Sequence, residues 1–112
     1  MYKPFLYCFL LYLLGSSIDA QNLVPNPSFE DTIYCPVGTN NPQAVKHWFN
    51  PTQASPDYYN ACANNGGGVP ANDWGYQYAQ EGNAYVGLIL YSNYIDYPNY
   101  REYIAIQLNE AL

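Results

Sequence analysis

Asn83-Ala84-Tyr85-Val86-Gly87-Leu88-Ile89-Leu90-Tyr91 is the stretch on which the fold turns. Successive side chains of an extended chain point to opposite faces, so Ala84, Val86, Leu88 and Leu90 share one face and Tyr85, Gly87, Ile89 and Tyr91 the other. Both faces are apolar, which predicts an interior strand covered on both sides. After a loop over residues 92–99, residues 100–109 alternate again. Ile104, Ile106 and Leu108 oppose Tyr103, Ala105, Gln107 and Asn109, as expected of a strand with one wetter face. Upstream, residues 35–83 are dominated by Asn, Gly, Pro and aromatics around one apolar island, Val45-Lys46-His47-Trp48-Phe49. That composition predicts loop-rich, stapled structure. Asn64-Asn65-Gly66-Gly67-Gly68 reads as a tight connection, since it lacks the Lys and Ser/Thr of a phosphate loop. Asn22-Leu23-Val24 is expected to open a strand that Pro25 and Pro27 interrupt and Ser28-Phe29-Glu30 resumes, confined by the prolines to an edge or bulge. Short strands between turn-rich loops, with no amphipathic helix, indicate an all-β sandwich.

The N-terminus sets the compartment. Lys3 precedes an apolar run over residues 5–14, and Gly15-Ser16-Ser17-Ile18-Asp19-Ala20 follows, the layout of a secretory signal peptide cleaved after Ala20. A spanning helix needs roughly 20 apolar residues, and no other segment approaches that. Cys8 lies inside the apolar run behind bulky Tyr7 and is expected to be discarded with it. Residues 21–112 then form one small module with a limited core. Lys3 and Asp19 cancel within the leader, so the mature module keeps the net charge of −6 carried by the whole chain. That charge disfavours nucleic acid and anionic lipid as partners. With Cys8 gone, Cys35 and Cys62 are the natural disulfide pair of an oxidising compartment.

The run Asn22-Leu23-Val24-Pro25-Asn26-Pro27-Ser28-Phe29-Glu30 resembles the opening strand of carbohydrate-binding modules with a galactose-binding-like jelly roll, with Pro27 where a glycine is usual. Cys35-Pro36, Trp48-Phe49-Asn50-Pro51-Thr52, Pro56-Asp57-Tyr58-Tyr59-Asn60-Ala61-Cys62, Gly82-Asn83-Ala84-Tyr85 and Tyr100-Arg101-Glu102-Tyr103 are similar to an N-terminal module of Gram-negative outer-membrane proteins. There it often precedes an OmpA-like domain or a secretion sorting signal. The resemblance implies a jelly-roll β-sandwich exported to the periplasm, outer membrane or cell surface, and a structural calcium held by Glu30. It also implies a further turn and strand beyond residue 112, so the chain is expected to be the N-terminal part of a longer protein.

No catalytic set is legible. His47 is the single histidine, beside Trp48 and without a serine elbow or cysteine partner, so packing or a loop hydrogen bond explains it better than catalysis or zinc binding. Glu81 and Glu102 could flank a glycosidic bond only if the fold brought them together. Aromatic faces that stack on sugar rings, with Asn, Gln and Asp for the hydroxyls, are the stronger signal. Trp74, Tyr76 and Tyr78 fall on one face of an extended segment and are the first candidates for ligand binding, with Trp48 second because Val45 and Phe49 point to its burial. The competing reading makes Trp48 and Trp74 core residues. Two functions follow: a non-catalytic module that recognises glycan or another envelope polymer, or a structural or adhesive spacer of an OmpA-like outer-membrane protein. Exposed aromatic rings would favour the first, and their complete burial the second.

Overall fold

The computed structural model describes residues 22–93 and 96–111. The expected signal peptide, residues 1–20, and Cys8 lie outside them. The architecture is β-rich: among the described residues, six short strands follow a single 3-10 turn at Pro42–Ala44. They are β1 (Trp48–Phe49), β2 (Asp57–Asn60), β3 (Ala71–Asn72), β4 (Gly75–Tyr76), β5 (Ala84–Gly87) and β6 (Ala105–Ile106). They pair into three antiparallel ladders, β1 with β6, β2 with β5 and β3 with β4.

The β2–β5 ribbon organises the molecule. Its register sets Asp57 against Gly87, Tyr58 against Val86, Tyr59 against Tyr85 and Asn60 against Ala84. Because side chains alternate, Tyr58, Ala84 and Val86 fall on one face. That face carries the core, in which Ala44, Val45, Tyr58 and Ala84 are buried and Phe29, Trp48 and Val86 pack against them. Phe29 and Trp48 stack at 4.8 Å between ring centroids. Asp57, Tyr59, Tyr85 and Gly87 fall on the opposite face. There the Tyr59 and Tyr85 rings meet at 5.0 Å as a cross-strand aromatic pair. Gly87 is required by this pairing, because a Cβ on it would stand 2.8 Å from the Tyr59 ring.

Four segments differ from the sequence reading. β5 ends at Gly87 instead of running to residue 91, and among the described residues it pairs on one side only. The carboxylate of Glu102 explains the early end: it accepts the Ile89 N–H at 2.8 Å, while the Ile89 carbonyl accepts the Glu102 N–H at 2.9 Å. A side chain thus takes a place that a strand carbonyl would fill, and Leu90 is left 75% exposed. The alternation over residues 100–109 likewise condenses to β6 and a single bridge between Ser92 and Tyr100.

The segment expected to resume as a strand at Ser28-Phe29-Glu30 is a turn, with Phe29 at φ 63° and Asn26 at φ 48°. The Asn26 side chain dictates it. Its amide donates to the carbonyls of Asp31 and Lys46, each at 3.0 Å, and its Oδ1 accepts the Asp31 N–H at 3.0 Å. Asparagine tolerates the left-handed region and binds nearby backbone more readily than it supports a strand.

β2, finally, lies inside the segment read as loops, yet all four of its residues are buried. The Cys35–Cys62 disulfide clamps its C-terminal end, with Cα atoms 5.9 Å apart. Among the described residues no buried polar side-chain atom lacks a partner, and no helix is long and apolar enough to cross a membrane.

Candidate functional site

The face of the β2–β5 ribbon turned away from the core looks onto a second element, the β3–β4 hairpin. Ala71 pairs with Tyr76 and Asn72 with Gly75, leaving Asp73 and Trp74 as a two-residue tip. The Asn72 side chain shapes that tip by accepting the Trp74 N–H on Oδ1 at 3.0 Å, and Gly75 takes the positive φ of 149° that the turn requires. The peptide bond between Val69 and Pro70 is cis, and the Pro70 carbonyl accepts the Gln77 N–H at 2.7 Å. Asn72 also ties hairpin to ribbon, donating from Nδ2 to the Tyr85 hydroxyl at 2.6 Å.

Between hairpin and ribbon lies a cleft of about 370 Å³. Its floor is the outer face of the ribbon, Asp57, Tyr59, Tyr85 and Gly87, continued by Ile89. Its wall is the hairpin, with Asn72, Trp74, Tyr76 and Gln77. Apolar walls with a few convergent polar groups are the usual composition of a small-ligand site. Trp74 and Tyr76 stand 68% and 66% exposed, so their rings are presented to solvent and not committed to the core.

Tyr78 is equally exposed but does not line the cleft. It braces Tyr76 from behind, with the rings edge to face at 5.5 Å and the hydroxyls sharing a 3.0 Å hydrogen bond. That bond, before any other influence, holds the Tyr76 hydroxyl above its ordinary pKa. Deeper in the cleft the Tyr59 hydroxyl is driven well above its ordinary range, first by burial and then by its 2.9 Å bond to the Asp57 carboxylate and that group's charge.

Trp48 is not brought to this cleft. It is half-buried, stacked on Phe29, and its Nε1 donates to the Asn26 carbonyl at 2.9 Å. One edge of it borders a separate hollow with Phe49 and Asn50. His47 is exposed, at φ 72°.

Glu30 sits elsewhere. Its Oε1 accepts the N–H groups of Asn83 and Ala84 at 2.7 and 2.9 Å, and its Oε2 faces the Asn83 side-chain amide at 3.4 Å. This closes the start of β5 onto the N-terminal turn, and Gly82, at φ 65°, leaves room for the carboxylate. A calcium site needs several oxygen ligands around one point. Among the described residues no group of three or more His, Cys, Asp and Glu gathers to hold a metal, and Glu30 is already engaged by N–H donors. A calcium here would have to draw its other ligands from backbone carbonyls of neighbouring loops, beside a carboxylate already engaged by N–H donors. Glu30→Ala is expected to cost about 1–3 kcal/mol through the orphaned N–H groups at the start of β5. Thermal melts should show the same loss with calcium and with chelator, whereas a calcium-dependent melt seen only in the wild type would restore a metal to this position.

The sequence reading did not single out Asp57, Asn72 or Tyr85 as site residues. The usable signal was the pair Tyr58-Tyr59 between Asp57 and Asn60: in a strand these two rings must face opposite ways, one to the core and one away from it. Comparison with protein-family models, curated proteins and solved structures finds no match to this chain. Fold and site together define a disulfide-stapled, β-rich module that presents an aromatic cleft.

Proposed function

We propose that the protein is a non-catalytic binding module of an exported cell-envelope protein and that it recognises glycan in the cleft between the β3–β4 hairpin and the β2–β5 ribbon. The observation that carries this reading is the exposure of Trp74 and Tyr76 on the wall of a cleft that also offers Asn72, Gln77 and Asp57. Flat aromatic faces stack on the apolar faces of sugar rings, and amide and carboxylate groups bind their hydroxyls. A large aromatic left in water costs solubility, and its placement beside convergent polar groups is accounted for by a ligand that covers it. The jelly-roll sandwich and the envelope location belong to the same reading and rest on the sequence resemblance. The disulfide supports it too, since such bonds persist in oxidising compartments.

The test is a glycan array over envelope and plant polysaccharides, followed by calorimetry on the best binder. Trp74→Ala removes the most exposed ring of the wall without touching the core, so the variant should fold while losing at least about tenfold in affinity, as truncation of an anchoring aromatic does. Absence of any binder, or unchanged affinity in a folded Trp74→Ala protein, would leave the structural spacer as the better account.

A further inference from the structure

The floor of the cleft is negatively charged, and among the described residues no cationic side chain pairs with that charge. Asp57 is 6% exposed. Its Oδ1 accepts the Asn40 N–H at 2.7 Å and its Oδ2 the Tyr59 hydroxyl at 2.9 Å. Behind Ile89, Glu102 is 4% exposed and is bound by the Ile89 N–H, the Tyr100 hydroxyl at 3.0 Å and the Ser55 hydroxyl at 3.2 Å. Every one of these donors is neutral. Asp57 lines the cleft itself, while Glu102 stands outside its lining. The cationic side chains of residues 22–111 are Lys46 and Arg101. Both are exposed, and Arg101 lies over the Tyr91 ring at 5.5 Å.

Buried charges are ordinarily paired, and a carboxylate held only by neutral donors keeps its field for whatever enters beside it. The same cleft is lined by the rings of Tyr59, Tyr85, Trp74 and Tyr76, and aromatic faces attract cations as a carboxylate does. The net charge of −6 adds a long-range attraction of the same sign. Anionic ligands are opposed at every range, and neutral ones gain nothing from Asp57 beyond a hydrogen bond.

We infer that the cleft selects a ligand carrying an ammonium group and, resting on the glycan reading above, that this ligand is an amino sugar whose amine is free. The ammonium sits against the Asp57 carboxylate between the aromatic rings, while the sugar face stacks on Trp74.

Calorimetry with three tetrasaccharides of equal length, β-linked glucosamine, N-acetylglucosamine and glucose, tests this on the whole protein. The free-amine oligomer should bind about tenfold more tightly than either neutral one. Asp57→Asn should bring it down to their level, whereas Trp74→Ala should weaken all three. Should Asp57→Asn fail to fold, the wild-type ranking still decides. Neutral oligomers that bind as well as the free-amine one would end this inference and leave the glycan reading standing. No binding by any of the three would likewise end this inference, and the glycan reading would then stand or fall on the array. A free-amine preference that survives in Asp57→Asn would be general attraction to an acidic protein, and it too would overturn the assignment to this cleft.

Discussion

Tyr58→Ala is expected to remove most of the protein's stability at room temperature. The Tyr58 ring is fully buried at the centre of β2, on the face that meets Ala44, Val45 and Ala84. Truncating a large buried aromatic costs about 3–5 kcal/mol in lost transfer energy and residual cavity. A module of this size has on the order of 5–12 kcal/mol in total. Polar losses come on top. The Tyr58 hydroxyl donates to the Phe29 carbonyl at 2.9 Å and accepts the Asn60 amide at 2.9 Å, so its removal orphans both partners and releases the N-terminal turn. Tyr58→Phe separates the two contributions, because it keeps the ring and should cost about 1–3 kcal/mol. Urea denaturation followed by tyrosine fluorescence and circular dichroism reads both variants. A Tyr58→Ala protein as stable as wild type would mean that the core lies elsewhere.

Alkaline titration probes the same residues without mutation. Burial is the main cause holding the Tyr58 hydroxyl above its ordinary value of 10.0, with the charge of Glu30 assisting and the Asn60 hydrogen bond opposing. Tyr59 is shifted the same way. A folded-state pKa raised above the unfolded one contributes stability that is complete below about pH 10 and is lost as the pH rises through the folded value. Unfolding should therefore set in above pH 10, and earlier in Tyr58→Phe, which starts from less stability.

What was legible in the sequence follows from how local each signal is. The alternation from Ala84 to Gly87 assigned a strand with two distinct faces, and those faces became core and cleft. The Cys35–Cys62 bond followed from counting cysteines once an exported chain was assumed. Trp74 and Tyr76 stood out, together with Tyr78, because alternation puts the three rings on one face of an extended segment. β2 was concealed for the opposite reason. Asp57 and Asn60 are polar, and their burial is tolerated because partners come from the fold: the Asn40 N–H from a distant loop for Asp57, and the Tyr58 hydroxyl with the Cys62 N–H for Asn60. The left-handed turn at Phe29 was likewise hidden, because the carbonyls that hold Asn26 include that of Lys46, twenty residues away. The floor of the cleft depended on the pairing of Tyr59 with Tyr85, a register that no single segment contains.

Reduction of the Cys35–Cys62 bond is the other change expected to have a large effect. The bond joins positions separated by 27 residues in sequence, and closing a loop of that length restricts the unfolded chain by about 3–4 kcal/mol in the chain-entropy account. Little else would replace it. The fully buried apolar cluster is small, and the chain between the two cysteines contains β1, β2 and the 3-10 turn that supply most of it. The bond fastens the Pro36 to Gly38 backbone against the turn that leaves β2. There Asn60 donates its N–H to the Gly67 carbonyl at 3.0 Å, and a Cβ on Gly67 would stand 2.5 Å from the Gly38 carbonyl oxygen. That close approach persists only while the two segments are held together. In Cys35→Ala/Cys62→Ala protein the melting temperature should fall by roughly 15 °C or more. The binding cleft should weaken with it, because the Asp73 N–H hangs from the Gly66 carbonyl at 3.1 Å and carries the tip of the hairpin. Peptide mapping without reductant should recover residues 35 and 62 in one linked fragment, and scanning calorimetry of the double variant measures the loss. A variant that melts within a few degrees of wild type would show that the hydrogen-bonded turns alone hold the loop.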